Sequence, residues 1–194
     1  MTGGIATGKS TVAAMLGRRG AVVIDADALA HEVLLPGAPA VEEVVAHFGA
    51  DVLDGSGAVD RATLGALVFA DPTLRADLER ITHPRINALL EERITTALQA
   101  EARLVVADIP LLFESGRIGS FEATMLVYAP AAVQLQRLRD RDGLDDLSAQ
   151  RRLAAQLPID DKLRLATWVI DNGGTRDLTA AQVDTWWREL IAPP

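Results

Sequence analysis

Short, unbroken apolar runs along this chain alternate with longer stretches in which apolar residues recur every three or four positions. Four of the runs, Ala21–Ile24, Leu104–Ala107, Thr124–Tyr128 and Trp168–Ile170, carry β-branched residues and are too short for helices. They read as strands buried on both faces of a parallel sheet. Helical spacing fills Lys9–Arg19, which Gly20 terminates, and then Ala131–Asp140 and Leu178–Ile191. Strands alternating with helices predict a doubly wound α/β fold. In the last helix Val183, Trp186, Trp187 and Leu190 fall on one stripe, which is expected to pack into the core.

Between Pro36 and Ala100 the strand signal stops. Val41–Phe48, Arg61–Phe69, Leu74–Ile81 and Arg85–Leu98 show helical spacing, and Asp54-Gly55-Ser56-Gly57 and His83-Pro84 read as turns between helices. The block is too long for a single crossover and reads as an inserted helical subdomain of the kind that holds a second substrate. The expected organisation is one domain over residues 1–194, with a core of about 1–35 and 101–194 and an inserted subdomain of about 36–100.

The first helix begins inside a phosphate-binding motif. Gly3-Gly4-Ile5-Ala6-Thr7-Gly8-Lys9-Ser10 matches G-x-x-x-x-G-K-[ST] at every fixed position. Glycines let successive backbone N–H groups turn inward around a phosphate, and the helix that follows adds its positive N-terminal end. In such a loop Lys9 reaches the β- and γ-phosphates of a nucleoside triphosphate and the Ser10 hydroxyl is the usual Mg²⁺ ligand, with Thr11 capping or touching the α-phosphate. A loop of this type ordinarily follows a buried strand, yet only Met1 and Thr2 precede Gly3. The first strand is therefore expected to be missing or a stub, and a translation start placed several residues late is the preferred explanation.

Composition narrows the class. A chain of 194 residues buries a substantial core unaided, and the absence of cysteine excludes disulfides, thiolate nucleophiles and Cys-ligated zinc. No uncharged apolar run approaches membrane-spanning length and no secretory leader pattern is present, so a cytoplasmic protein without a membrane partner is expected. A net charge of −8 argues against a nucleic-acid partner. Against that acidic background Arg137, Arg139, Arg141, Arg151 and Arg152 cluster, and beside a bound triphosphate they read as a mobile arginine lid over about 137–160.

Two carboxylate sites complete the picture. Asp25 and Asp27 close the second strand at the sheet edge where open α/β folds bind ligands, and one of them is expected to cap the next helix. Asp27 is assigned the other role, orienting an acceptor hydroxyl and taking its proton. Leu104-Val105-Val106-Ala107-Asp108 is an apolar strand ending in a carboxylate, the Walker-B pattern for holding Mg²⁺. The histidines, His31, His47 and His83, make no metal-ligating pair.

Taken together the chain resembles the dephospho-CoA kinase family over nearly its whole length. The resemblance rests on Thr2 to Thr11, Asp25-Ala26-Asp27, Gly65 to Phe69, Ile81-Thr82-His83-Pro84 and Ile109-Pro110-Leu111-Leu112-Phe113-Glu114. It continues through Arg137 with Arg141, Arg152 with Gln156, Lys162, and Ile170 to Gly174. It implies a P-loop NTPase fold, a three-layer doubly wound parallel sheet with a helical acceptor subdomain and a lid. The implied reaction is ATP-dependent phosphorylation of the ribose 3′-hydroxyl of dephospho-CoA, with ATP and Mg²⁺ bound and a small-molecule acceptor. By similarity Gly3 and Ala6 to Thr11 bind the phosphates, Asp27, His83 and Arg85 face the acceptor, Lys9, Arg137 and Arg141 stabilise the transferring group, Ser10 and Asp108 hold the metal, and Asn172 and Gly173 lie near adenine. A monomer is expected.

Two residues depart from the family's pattern besides the short N-terminus. Ala6 replaces a loop glycine and is expected to need a negative φ. Thr167 replaces an aspartate before the last strand. The competing readings are a nucleoside or nucleoside-monophosphate kinase, a switch GTPase, which the lack of an Asn-Lys-x-Asp guanine reader disfavours, and a nucleotide-binding paralogue inactivated by loss of the first strand.

Overall fold

Contiguous apolar residues form the inner strands here because both faces of each are covered, whereas the two edge strands leave Val22 and Val169 38% and 40% exposed. The computed structural model describes residues 1–191 and contains β1 (Thr2–Gly3), β2 (Val22–Asp25), β3 (Val105–Asp108), β4 (Met125–Tyr128) and β5 (Trp168–Asp171). The helices are α1 (Lys9–Arg18), α2 (Ala26–Glu32), α3 (Pro39–Phe48), α4 (Arg61–Ala70), α5 (Pro72–Gln99), α6 (Ala131–Asp142), α7 (Asp146–Ala154), α8 (Ile159–Leu163) and α9 (Arg176–Ile191).

β1, β4 and β5 pair in parallel, with Thr2 beside Leu126, Gly3 beside Val127, and Met125 to Tyr128 beside Trp168 to Asp171. β2 pairs with β3. The two ladders meet at Met1, whose nitrogen donates to Ala107 O at 2.7 Å and whose carbonyl accepts the Ile109 N–H at 2.9 Å. These partners flank Asp108, as in a parallel ladder, so the continuous order is β2-β3-β1-β4-β5. The expected stub is thus a two-residue strand at the centre of the sheet. The loop leaving it starts where the strand order reverses, which is where open α/β sheets bind ligands.

Alternation along β4 shows how the sheet is covered. Met125 and Val127 join a core with Val12, Met15 and Leu16 of α1 and Val183 of α9, whereas Leu126 between them packs with Phe113 and with Ile159 of α8. Helices therefore cover both faces. Trp186 and Trp187 pack against the first cluster, and Trp186 meets Trp168 edge-on at 5.5 Å. Leu190 does not follow them inward and stays 38% exposed. Gly20 ends α1 as the sequence predicts: it adopts φ 98°, and Ala21 N–H bonds Leu16 O at 3.2 Å while Gly20 N–H bonds Gly17 O at 3.0 Å, a Schellman closure. Thr167 exchanges hydrogen bonds with Thr124, each backbone N–H donating to the other's hydroxyl, at 3.0 and 3.1 Å, and this pins the starts of β4 and β5.

The backbone divides into two compact units, Met1–Ile24 with the chain from Leu98 onward, and Asp25–Ala97. The second is helical and has its own core, built on Val33, Val41, Val44, Val52, Leu64 and Ile81. Asp54 organises the expected turn by accepting from Ser56 N–H at 2.8 Å, the Ser56 hydroxyl at 2.6 Å and Ala58 N–H at 3.1 Å. The expected break at His83-Pro84 is absent: α5 runs continuously from Pro72 to Gln99 with Pro84 inside it. Proline removes one helical bond and crowds the preceding turn. Here that turn is held by burial of Ile81 and Thr82. It is also held by side chains, with Thr82 Oγ1 donating to Leu78 O at 2.8 Å and Arg85 Nη1 donating to Ile81 O at 2.6 Å.

Candidate active site

The loop from Gly4 to Gly8 connects the central strand to α1 and is shaped by its own contacts. Thr7 folds back on Gly4, its N–H and hydroxyl both reaching Gly4 O at 3.2 and 2.9 Å. Gly8 is the N-cap residue of α1 with φ 83°, and a side chain there would collide with the Asn172 amide. No side chain caps α1 and no acidic residue lies in its first turn, so the positive end of the helix faces the loop uncompensated. Lys9, Ser10 and Thr11 form that first turn, Thr11 N–H bonding Gly8 O at 2.9 Å.

Ala6 corrects the sequence expectation. Its φ is 59°, the left-handed region, where an L side chain costs on the order of 1–2 kcal/mol. Contacts on both flanks hold it there. Asn172 Nδ2 donates to Thr7 O at 2.7 Å, and Asn172 Oδ1 is itself fixed by the Thr179 hydroxyl at 2.8 Å. Arg137, from α6, donates to Asn172 O at 2.7 Å and reaches Thr7 O and Ala6 O at 3.3 and 3.5 Å. On the other flank Ile5 N–H donates to Gln156 Oε1 at 2.8 Å.

Lys9 and Asp108 meet. Lys9 Nζ lies 2.6 Å from Asp108 Oδ1, joining the loop lysine to the carboxylate at the end of β3, which is only 3% exposed. A carboxylate removed from water requires such a partner. Among the described residues no three His, Asp or Glu side chains converge as a ready-made metal cluster. The oxygen donors of Ser10 and Asp108 are of the hard type that suits Mg²⁺, an ion commonly held by one or two protein oxygens together with nucleotide phosphates.

Hydrogen bonds join Ala6 and Thr7 to Arg137 and Asn172 in one network on the loop that runs from Gly3 to Gly8, and Lys9 pairs with Asp108. Gly173 follows Asn172 in the turn after β5 and donates its N–H to Asp171 Oδ1 at 2.7 Å. Arg141 is not in that network. Its side chain is 61% exposed and pairs with Asp142, at 2.6 Å, which also receives Arg152 at 2.9 Å. The Arg141 guanidinium, its leading partner, holds the Asp142 carboxyl below the usual carboxylate range.

In the helical unit, Asp25 is the cap anticipated for one member of the aspartate pair, accepting from Asp27 N–H at 2.9 Å and Ala28 N–H at 3.4 Å. Asp27 stands exposed in the first turn of α2. His83 is exposed on α5, and Arg85 bonds Ile81 O and the Glu43 carboxylate. Thr179 had no place in the sequence reading, and Gln156 entered it only as part of the resemblance, with no contact assigned. Both act on neighbours more than 100 residues away in sequence or on a backbone turn, and no local spacing signals such contacts.

Comparison with known proteins places this geometry. A family model for dephospho-CoA kinase (CoaE) matches residues 1–177. The chain is 47% identical over 191 residues to a dephospho-CoA kinase from Geobacter metallireducens, covering 98% of this chain and 95% of that protein. It is 49% identical over 191 residues to one from Anaeromyxobacter dehalogenans, covering 98% and 90%. Among solved structures it is similar to TT1252 from Thermus thermophilus, with a TM-score of 0.79 and 38% identity over 96% of this chain and 94% of that one. It is also similar to the dephospho-CoA kinase of Campylobacter jejuni, with a TM-score of 0.75 and 29% identity over 98% and 95%. Sequence similarity that runs nearly end to end, on a fold shared with both solved relatives, establishes that the chain belongs to the dephospho-CoA kinase family.

Proposed function

We propose that this protein transfers the γ-phosphoryl group of ATP to the ribose 3′-hydroxyl of dephospho-CoA, giving CoA and ADP, the last step of coenzyme A synthesis. The observation that carries the reading is the phosphate loop at the reversal point of the sheet, with Lys9, Asp108 and Arg137 already gathered on it. The acceptor hydroxyl attacks phosphorus, the bond from phosphorus to the β-phosphate oxygen breaks, and the hydroxyl proton passes to Asp27. Negative charge on the transferring group and on the departing ADP is met by Lys9, Arg137 and the N-terminus of α1.

Lys9 and Arg137 are held by protein oxygens in this structure. An incoming triphosphate offers both a stronger acceptor, so each cation exchanges one anionic or carbonyl partner for a phosphate oxygen rather than emerging from water. Gly3, Ala6, Thr7, Gly8, Ser10 and Thr11 line the phosphates, and Asn172 and Gly173 lie toward the base. His83 and Arg85 bind the acceptor. Arg141 joins the phosphates on closure of a lid spanning about 137–160, which requires it to leave Asp142. Ser10 and Asp108 would hold Mg²⁺, which supplies neutralisation of the phosphate charge when bound. One chain carries every group in this reading, so a monomer suffices, and the cytoplasm is the compartment where it meets ATP.

The test is ADP release by this chain with Mg²⁺-ATP, with and without dephospho-CoA, together with the mass of the product. Acceptor-dependent ADP and a product heavier by one phosphoryl group support the assignment. Turnover of nucleosides or nucleoside monophosphates in place of dephospho-CoA would replace it.

A further inference from the structure

The residues between α7 and α8, numbers 155–158, run beside the phosphate loop and border a partly open cavity of 380 Å³, walled by Gly4, Gln134, Leu153, Gln156, Pro158 and Ile159. Polar ties link this segment to the loop and to α8. Gln156 Oε1 accepts the Ile5 N–H of the loop at 2.8 Å. The next residue, Leu157, donates its N–H to Glu114 Oε1 at 3.1 Å. That same oxygen lies 2.6 Å from Nζ of Lys162 on α8, whose side chain is 0% exposed. The ammonium is paired by charge but lies out of line for a good hydrogen bond.

We propose that Glu114 is a positioning residue for the phosphate loop, acting through Leu157 and Gln156 on Ile5. The logic starts at Lys162. An ammonium taken out of water is costly unless a counter-charge stays beside it. Glu114 therefore cannot swing away without stranding that charge, and its oxygen becomes a fixed acceptor for the Leu157 N–H. Fixing Leu157 fixes its neighbour Gln156, and Gln156 sets the orientation of the Ile5 amide. Ile5 directly precedes Ala6, whose left-handed conformation persists only while its surroundings over-determine it. Arg137 and Asn172 restrain one side of that residue. The chain from Lys162 through Glu114 and Gln156 restrains the other. In this arrangement Glu114 touches neither nucleotide nor acceptor, and its effect is on how well the loop is shaped before phosphate arrives.

The inference rests on the nucleotide-binding reading of the loop, so the test uses ADP binding to the full chain, measured by calorimetry with Mg²⁺ and needing no acceptor. Gln156→Ala is expected to raise Kd for ADP about tenfold, the worth of one loop hydrogen bond, with little change in Tm. Glu114→Ala is expected to raise it as much, and the double variant no further than the worse single, because all act through one chain of contacts. Glu114→Gln with Lys162→Met removes both charges while keeping an acceptor for Leu157, and is expected to recover most of the lost affinity. In turnover the variants raise KM for ATP more than they lower kcat. An unchanged Kd in Gln156→Ala, or losses that multiply in the double variant, would overturn the proposal alone. Wild-type protein that does not bind ADP would overturn the nucleotide reading and this proposal with it.

Discussion

At φ 59°, Ala6 sits where glycine is at home, and it does so between Ile5 and Thr7, whose backbone groups are held by Gln156 on one side and by Arg137 and Asn172 on the other. Replacing Ala6 by glycine removes strain of about 1–2 kcal/mol and adds back some freedom in the unfolded chain. The expected net gain is about 1 kcal/mol, read as a shift in the denaturant midpoint at unchanged slope; a loss of stability would show that the methyl group packs favourably. Asp27 and Asp25 also divide their roles at this scale. Asp25 spends its carboxylate on the cap of α2, which leaves the Asp27 carboxylate available for the proton-accepting role proposed for it. Asp27→Asn is expected to lower kcat by roughly 10²–10⁴ while Kd for ADP stays unchanged, since the change removes proton acceptance and not phosphate contacts. Wild-type turnover in that variant would remove Asp27 from the mechanism.

Elements form where local and tertiary terms agree, and α5 shows what happens when they conflict. Residue by residue, His83-Pro84 argues for a turn, yet the helix continues because Ile81 and Thr82 are buried and side chains bond carbonyls of the turn before the proline. Helix α4 shows the agreeing case. Asp60 caps it by accepting from Ala62 N–H at 2.9 Å and Thr63 N–H at 3.3 Å, and its second oxygen takes the Thr63 hydroxyl at 2.6 Å. The Thr63 hydroxyl, ahead of the backbone amides, holds the Asp60 carboxyl below the usual carboxylate range, and Ser56 does the same for Asp54 in the adjacent turn. A carboxyl depressed on folding contributes its stabilisation fully above the unfolded-state value and loses it as pH falls through the folded one. Unfolding of the wild-type protein is therefore expected to ease as pH falls below the ordinary aspartate value of about 4, and Asp60→Asn is expected to flatten that acid limb; an unchanged limb would assign it to other carboxylates.

At the scale of the molecule the site is a consequence of strand order. β1 is two residues long, yet it lies between β3 and β4, so the loop leaving it is flanked by Asp108 at the end of β3 and by Arg137 on the helix after β4. Binding at 100 times Kd adds about 2.7 kcal/mol to the stability of whatever unfolds with the site. Hydrogen exchange with saturating Mg²⁺-ADP is expected to slow most at residues 3–11 and at the turn after β5, which contribute the loop and its brace. Protection confined to the helical unit would place the nucleotide elsewhere.

The amino-acid sequence by itself determined the strands, the helical insert, the phosphate loop, the paired aspartates and the strand-end Asp108. Each is written in residues adjacent in the chain, through a contiguous apolar run, a helical period or a motif of fixed spacing. Only the tertiary structure decided that a two-residue strand holds the centre of the sheet, that α5 passes through Pro84 unbroken, and that Ala6 takes a positive φ. It alone decided that Lys9 pairs with Asp108 and that Arg137, rather than Arg141, lies on the loop. These outcomes depend on partners 99 or more residues apart or on the packing of neighbouring turns, and the energies involved arise only once the sheet has brought those partners together.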